Sequence, residues 1–377
     1  MKKLSILIAL VLTLTMALSS CESREPGEMR DITTMKLVRE MGIGINLGNT
    51  FDCAGDWYSS GGTPEDVQTA WGSPVITQEI IQCYADAGFG VMRLPVTWTS
   101  LADKDGNIAK EFIDNVQQVV DWILDSGMYC ILNSHHDGWA DKIMEDKDKG
   151  MAKYQHVWEQ IAERFKNYGD KLMFESMNEE GFDDIWNSYA GNDGKEEAFE
   201  LFNSINQKFV DVIRASGGNN DRRHLLIASY WTSIDRACDP LFKMPDDPAG
   251  RMALSVHYYT PSVLCLIDSD VEWGKARTDW GTEADYEELN SQFDLAEEHY
   301  CKNGIPVIVG EFGCFGNNKS AEVKQTWMLD VANAAYMRDM CPVLWDTPGG
   351  ELGREELHWW REEFIKKLVS VGKITGE

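Results

Sequence analysis

Residues 172–181 read LMFESMNEEG, and the fold follows from how that stretch is read. It begins apolar and ends in Asn178, Glu179 and Glu180. A short apolar run closed by polar residues is the pattern of a strand buried on both faces. An amide and two carboxylates are costly to desolvate, so their place at the strand's end needs a reason.

Seven other runs share the pattern: MGIGINLGN (41–49), FGVMRLPVTW (89–98), MYCILNSHHD (128–137), HLLIASYW (224–231), MALSVHYYTP (252–261), IPVIVGEFG (305–313) and CPVLWDTPG (341–349). Amphipathic stretches separate them. EFIDNVQQVVDWILDSG, for example, has apolar residues at helical spacing and ends in Ser-Gly, a helix stop. Strands apolar on both faces that alternate with helices predict a parallel sheet, and eight such units predict a single-domain (β/α)8 TIM barrel. A doubly wound open sheet is the alternative. It calls for a Gly-rich dinucleotide or phosphate loop, and the sequence has none.

A net charge of −27 excludes nucleic acid as a partner, because neutralising phosphates takes Lys and Arg. The same charge suits a neutral substrate. The start, MKKLSILIALVLTLTMALSSC, is a basic end, an apolar core and a small-residue flank, the pattern of an export signal. LSSC resembles a bacterial lipobox, in which the cysteine carries the lipid. An uncleaved membrane anchor and plain secretion are the alternatives. The expectation is a signal peptide over 1–20, a flexible tether over 21–30 beginning at lipidated Cys21, and a catalytic domain over 31–377. The protein is then exported, membrane-anchored and monomeric. The other eight cysteines form no CxxC spacing, so buried free thiols are expected. An exported protein can pair two of them, and the sequence does not say which.

In a barrel of this kind the chemistry lies at the C-terminal strand ends. Those ends bring together Asn46, Arg93, His135, His136, Asn178, Glu179, His257, Tyr259, Glu311 and Trp345. Glu179 on the fourth run and Glu311 on the seventh would face each other across the ring. Opposed carboxylates of this kind fit glycoside hydrolysis. Asn178 can hydrogen-bond a sugar 2-OH. Arg93 and Tyr259 can hold Glu311 ionised, and burial with nearby negative charge would keep Glu179 protonated. Trp98, Trp231 and Trp345 offer faces for pyranose stacking. Adjacent residues on a strand point in opposite directions, so His135, His136 and Asp137 do not converge on one ion. No metal and no cofactor are expected.

At these positions the chain resembles glycoside hydrolase family 5, the retaining cellulase family. LMFESMNEE looks like its signature, and GINLGNTFD, VMRLPVTW, NSHHD, SVHYY, GEFG and LWD follow in the family's order. The resemblance spans nearly all of residues 30–370. It implies Glu179 as acid/base and Glu311 as nucleophile, with Arg93, His135, Asn178, His257, Tyr259 and Trp345 around them. It further implies an endo-β-1,4-glucanase acting on cellulose-like or mixed-linkage β-glucan. A xyloglucan-specific endoglucanase, a β-mannanase and a non-catalytic glycan-binding lipoprotein are the rivals. One position departs from the family, which has Pro where this chain has Glu180. If that carboxylate points into the mouth, like-charge repulsion is expected to raise the pKa of Glu179.

Overall fold

The computed structural model describes residues 27–182, 185 and 194–372. The expected signal peptide and Cys21 lie outside the described residues. Eight parallel strands close into one barrel in sequence order. They are β1 (Gly44–Asn46), β2 (Val91–Leu94), β3 (Tyr129–Asn133), β4 (Leu172–Glu175), β5 (Leu225–Ala228), β6 (Met252–Tyr258), β7 (Val307–Phe312) and β8 (Cys341–Leu344). Nearly every strand residue is buried, as expected of strands covered on both faces. β1 pairs with β8 and completes the ring.

Helices cover the outside. Lys110–Asp125 buries Phe112, Val116, Val119, Val120 and Ile123, one stripe at helical spacing, and the chain leaves it through Gly127 at a φ of 95°. The β5–β6 crossover differs from the others: its one α-helix is the single turn Ile234–Ala237. The stretch CDPLFKMPDDPAG that follows is interrupted by three prolines, which a helix interior does not tolerate.

The N-terminal end of the barrel is closed by the helix Thr34–Met41. Its Leu37, Val38 and Met41 pack with Val91, Tyr129, Ile131, Met173, Leu226, Ile308 and Val343. Residues 27–30, expected to be flexible tether, belong to this base. The Gly27 amide donates to the Asn167 carbonyl at 2.7 Å, and Arg30 pairs with Asp170 at 2.6 Å. The paired arginine and the main-chain contact fix the segment, so the ordered body begins by residue 27. The other end of the barrel is left open for the strand-end residues. Among the described residues no helix is long and apolar enough to cross a membrane.

Candidate active site

The site is built on Arg93, which is wholly buried at the centre of the ring. Its Nε donates to Glu175 Oε2 at 2.7 Å and its Nη2 to Asn178 Oδ1 at 2.9 Å. Its Nη1 donates to Glu311 Oε1 at 2.8 Å and to Asn46 Oδ1 at 3.1 Å. Burial works against the cation, but the Glu175 and Glu311 carboxylates more than offset it and keep Arg93 charged. Glu175 completes its coordination with the Ser255 hydroxyl, which donates at 2.6 Å. The sequence reading missed Glu175. The available signal was a carboxylate inside an apolar strand, since a fully buried Glu needs a cation.

The sequence places Asn46 among the active-site residues at the strand ends, but the structure puts it out of the cleft. It is fully buried beside Arg93, its partner across β1 and β2, with its Nδ2 donating to the Gly310 carbonyl at 2.9 Å. Its place is under the site, bracing both Arg93 and β7.

That bracing matters because β7 carries a bulge. Val256 pairs with Val309, but His257 pairs with Glu311, so Gly310 is an extra residue. The bulge turns Glu311 towards His257 and Arg93. A Cβ on Gly310 would lie 3.1 Å from Ser255 Oγ and 3.2 Å from His257 Nε2, so the close approach favours glycine. The Tyr259 hydroxyl donates to the second Glu311 oxygen at 2.8 Å. Across the mouth, His257 Nδ1 lies 2.7 Å from Glu179 Oε1 and 3.6 Å from Glu311 Oε2. One carboxylate oxygen of Glu179, one of Glu311 and a ring nitrogen of His257 all lie within 4.8 Å of one another. Three such atoms raise the question of a metal. Both Glu311 oxygens are engaged by Arg93 and Tyr259, and the imidazole is engaged by Glu179, so the trio as arranged is a hydrogen-bond network.

The ionisation differs from the sequence expectation. Burial raises the Glu179 carboxyl, but the His257 hydrogen bond and the charges of His257, Arg93 and His136 outweigh it and hold the group below its ordinary value. Glu179 also keeps 42% of its side-chain exposure, because the cleft is open beside it. Burial raises Glu311 against the pull of His257, Arg93 and Tyr259. Two carboxyls this close titrate as a pair. The Glu180 carboxyl is pushed up to about 8, by burial first and then by Asp141, Asp137 and Glu179. The repulsion expected to fall on Glu179 thus falls mainly on Glu180.

Trp345 is half-buried in the cleft and stacks on His135, with ring centroids 5.9 Å apart and planes within 10°. Gly48 allows it there, since a Cβ would lie 2.7 Å from the indole. Asn133 Nδ2 lies 3.1 Å from His135 Nδ1, and burial holds that imidazole neutral. His136 is exposed and faces Trp71 at 6.2 Å. Asp137 is a turn residue, accepting from Ser134 and from the Thr99 amide. Trp231 is 42% exposed and lines a cleft of about 300 Å³ with Glu179, His257 and Tyr259. Trp98 offers no stacking face: it is fully buried, and its indole N–H donates to the Asn133 carbonyl at 2.8 Å. The 3-10 turn Trp98–Leu101 turns the ring inward.

A (β/α)8 barrel with two carboxylates facing each other across its open mouth, braced by one buried arginine, has the machinery of a glycoside hydrolase. The family description that matches the chain agrees: Cellulase (glycosyl hydrolase family 5), over residues 54–348. The chain belongs to glycosyl hydrolase family 5. Endoglucanase A of Ruminococcus albus is 34% identical over 371 residues, covering 94% of this chain and 97% of the relative. Cellulase/esterase CelE of Acetivibrio thermocellus is 34% identical over 355 residues, and there the match covers 90% of this chain but only 41% of the relative's length. Among solved structures, a glycoside hydrolase 5 lichenase mutant of Caldicellulosiruptor sp. F32 in complex with cellotetraose superposes with a TM-score of 0.82. It is 29% identical, and the match covers 93% of this chain and 98% of that one.

Proposed function

We propose that the protein is an endo-acting β-1,4-glucanase that cleaves cellulose-like or mixed-linkage glucans by double displacement, with retention of configuration. The observation that carries the reading is the separation of Glu179 and Glu311, whose nearest oxygens lie within 4.8 Å. Retaining enzymes hold their carboxyls about 5–5.5 Å apart, and inverting enzymes leave room for a water between them. Glu311 attacks the anomeric carbon while Glu179 protonates the leaving oxygen. Water then resolves the glycosyl-enzyme with Glu179 as base.

Each neighbour has a task in this scheme. Arg93 and Tyr259 each bond one Glu311 oxygen and so fix the attacking lone pair. Trp345 supplies the ring face under the sugar that is attacked, and Asn178, held by Arg93, meets its 2-OH. The free protein favours ionised Glu179 through His257. Glucan in the cleft displaces the water that solvates that carboxylate, and this desolvation favours the acid form of Glu179.

Lipid anchoring through Cys21 fits this arrangement. The chain enters at the base, where Gly27 is docked, and the catalytic residues sit at the opposite end of the strands. A short tether at the base leaves the mouth facing away from the membrane. Cys21→Ala is expected to move the protein from the membrane fraction to the soluble fraction with its activity intact.

The substrate test is sugar release from carboxymethyl-cellulose, barley β-glucan, xyloglucan, mannan and xylan, with Glu311→Ala as control. The expected result is rapid release from a β-1,4-glucan, with a first product of β configuration, abolished in the variant. A first product of α configuration would refute the mechanism. Fastest release from mannan or xyloglucan would move the specificity to that polymer. Glycan binding with no release would favour a binding protein.

A further inference from the structure

Cys265 and Cys314 lie beside the site, and the chemistry above does not use them. Cys265 ends the helix Ser262–Cys265 in the loop after β6, the strand that carries His257. Cys314 lies just beyond β7, three residues after Glu311. Both are buried and reduced. The two loops touch through their main chains, where the Phe315 amide donates to the Cys265 carbonyl at 2.9 Å. Such a bond draws two backbones towards the Cα spacing, about 4.4–6.8 Å, at which a disulfide closes without moving the chain. The Cys314 thiol lies against the residue before Cys265, its Sγ 4.0 Å from the Leu264 carbonyl, and each thiol perturbs the ionisation of the other.

The surroundings make the two sulfurs unequal. Lys319 is buried beside them, donating to the Phe315 carbonyl at 2.6 Å, and Lys324 donates to the Gly316 carbonyl at 2.9 Å. The Cys265 hydrogen bond, with the charges of Lys319 and Lys324 working against burial, holds the Cys314 thiol below its ordinary value. Burial pushes the Cys265 thiol up. One acidic thiol beside one resolving thiol is the arrangement that thiol–disulfide exchange uses.

We infer that Cys265 and Cys314 are a disulfide-forming pair that staples the loop after β6 to the loop after β7, beside the catalytic carboxylates. The oxidant is a disulfide-bearing compound of the exported environment. The Cys314 thiolate attacks one of its sulfurs and expels the other as a thiolate. The Cys265 thiolate then attacks Cys314 in the mixed disulfide and releases the second oxidant thiolate. The two cysteine protons end on the two departing thiolates, the cysteines are oxidised by two electrons and the oxidant is reduced by two. The staple also reaches the site, because Phe315 packs on Tyr259 at 6.1 Å and Tyr259 donates to Glu311. This inference draws on the export reading for its oxidant and is independent of the polymer cleaved.

The test treats the full chain with oxidised glutathione at rising temperatures up to the onset of unfolding. A second sample is made directly in an oxidising compartment. Peptide mapping without reductant is expected to find Cys265 joined to Cys314. The staple closes a loop of about 50 residues, and in a chain of this size it should raise Tm by roughly 5 °C. Dithiothreitol should reverse the rise, and Cys314→Ser and Cys265→Ala should each abolish it while unfolding near the Tm of the reduced enzyme. No joined peptide in either sample would overturn the inference. So would a Tm rise that persists in both variants. Correct stapling without activity on any β-glucan would overturn the functional reading and leave this one standing.

Discussion

Glu180→Gln isolates the penalty of a carboxylate held where it cannot easily ionise. Glu180 is half-buried, and burial with Asp141, Asp137 and Glu179 raises its pKa from 4.5 to about 8. At about 1.4 kcal/mol per pH unit, the ionised form is disfavoured by about 5 kcal/mol at most. The sign follows from proton binding. The native carboxyl keeps its proton between 4.5 and about 8 while the unfolded chain loses its own, so stability is full below 4.5 and falls as pH rises through that window. At pH 7 the loss is about 3 kcal/mol, again an upper figure. Gln keeps the shape and does not titrate. Other groups titrate alike in both proteins, so the difference in Tm reports Glu180 alone. Thermal unfolding should show nearly equal Tm values near pH 4.5 and a variant that is more stable by up to about 4 °C at pH 7, on the usual unfolding entropy per residue. A gap that does not change with pH would refute the reasoning. A wild type that gains on the variant as pH rises would mean that Glu180 is ionised and paired.

Three other outcomes are expected. In the proposed mechanism Glu311 attacks as the carboxylate, and burial raises its pKa, so kcat/KM should fall as pH drops through a value above 4.5, and an acid limb below 4.5 would contradict this. Glu175→Ala leaves part of the Arg93 charge uncompensated in the core and should cost about 3 kcal/mol of stability by denaturant unfolding, the lower end for breaking a buried pair because Glu311 remains. Its kcat should fall too, while Glu175→Gln, which can still accept from Arg93 and Ser255, should keep more of both. Gly310→Ala places a methyl group against Ser255 and His257 and should lower kcat by about tenfold to a hundredfold through misplacement of His257 and Glu311, with little change in Tm. Steady-state kinetics with parallel calorimetry separates the two effects.

The barrel was legible because strands buried on both faces leave continuous apolar runs, and polar residues at the ends of such runs have few explanations other than a site. What could not be read depends on distances between runs. Asn46 and Asn49 are equally polar at the end of β1, and only the ring shows that Asn46 turns inward to meet Arg93. Trp98 and Trp345 both follow strands, and a 3-10 turn buries one while Gly48 makes room for the other. The ionisation of Glu179 was misjudged because it depends on a nitrogen 2.7 Å away on another strand.

Glu175 ties these cases together. It was hidden inside the apolar run that decided the fold, yet it is what allows Arg93 to be buried at all. With Glu175 on one side, Arg93 can meet Glu311, Asn46 and Asn178 with all of them in fixed positions. An arginine at the mouth would screen Glu311 through mobile water. A fully buried one aims it, because moving the carboxylate would leave a guanidinium donor unpaired in the core. The position of Glu311 is therefore set by the buried residues behind it, Arg93 and Glu175 first, and not at the mouth.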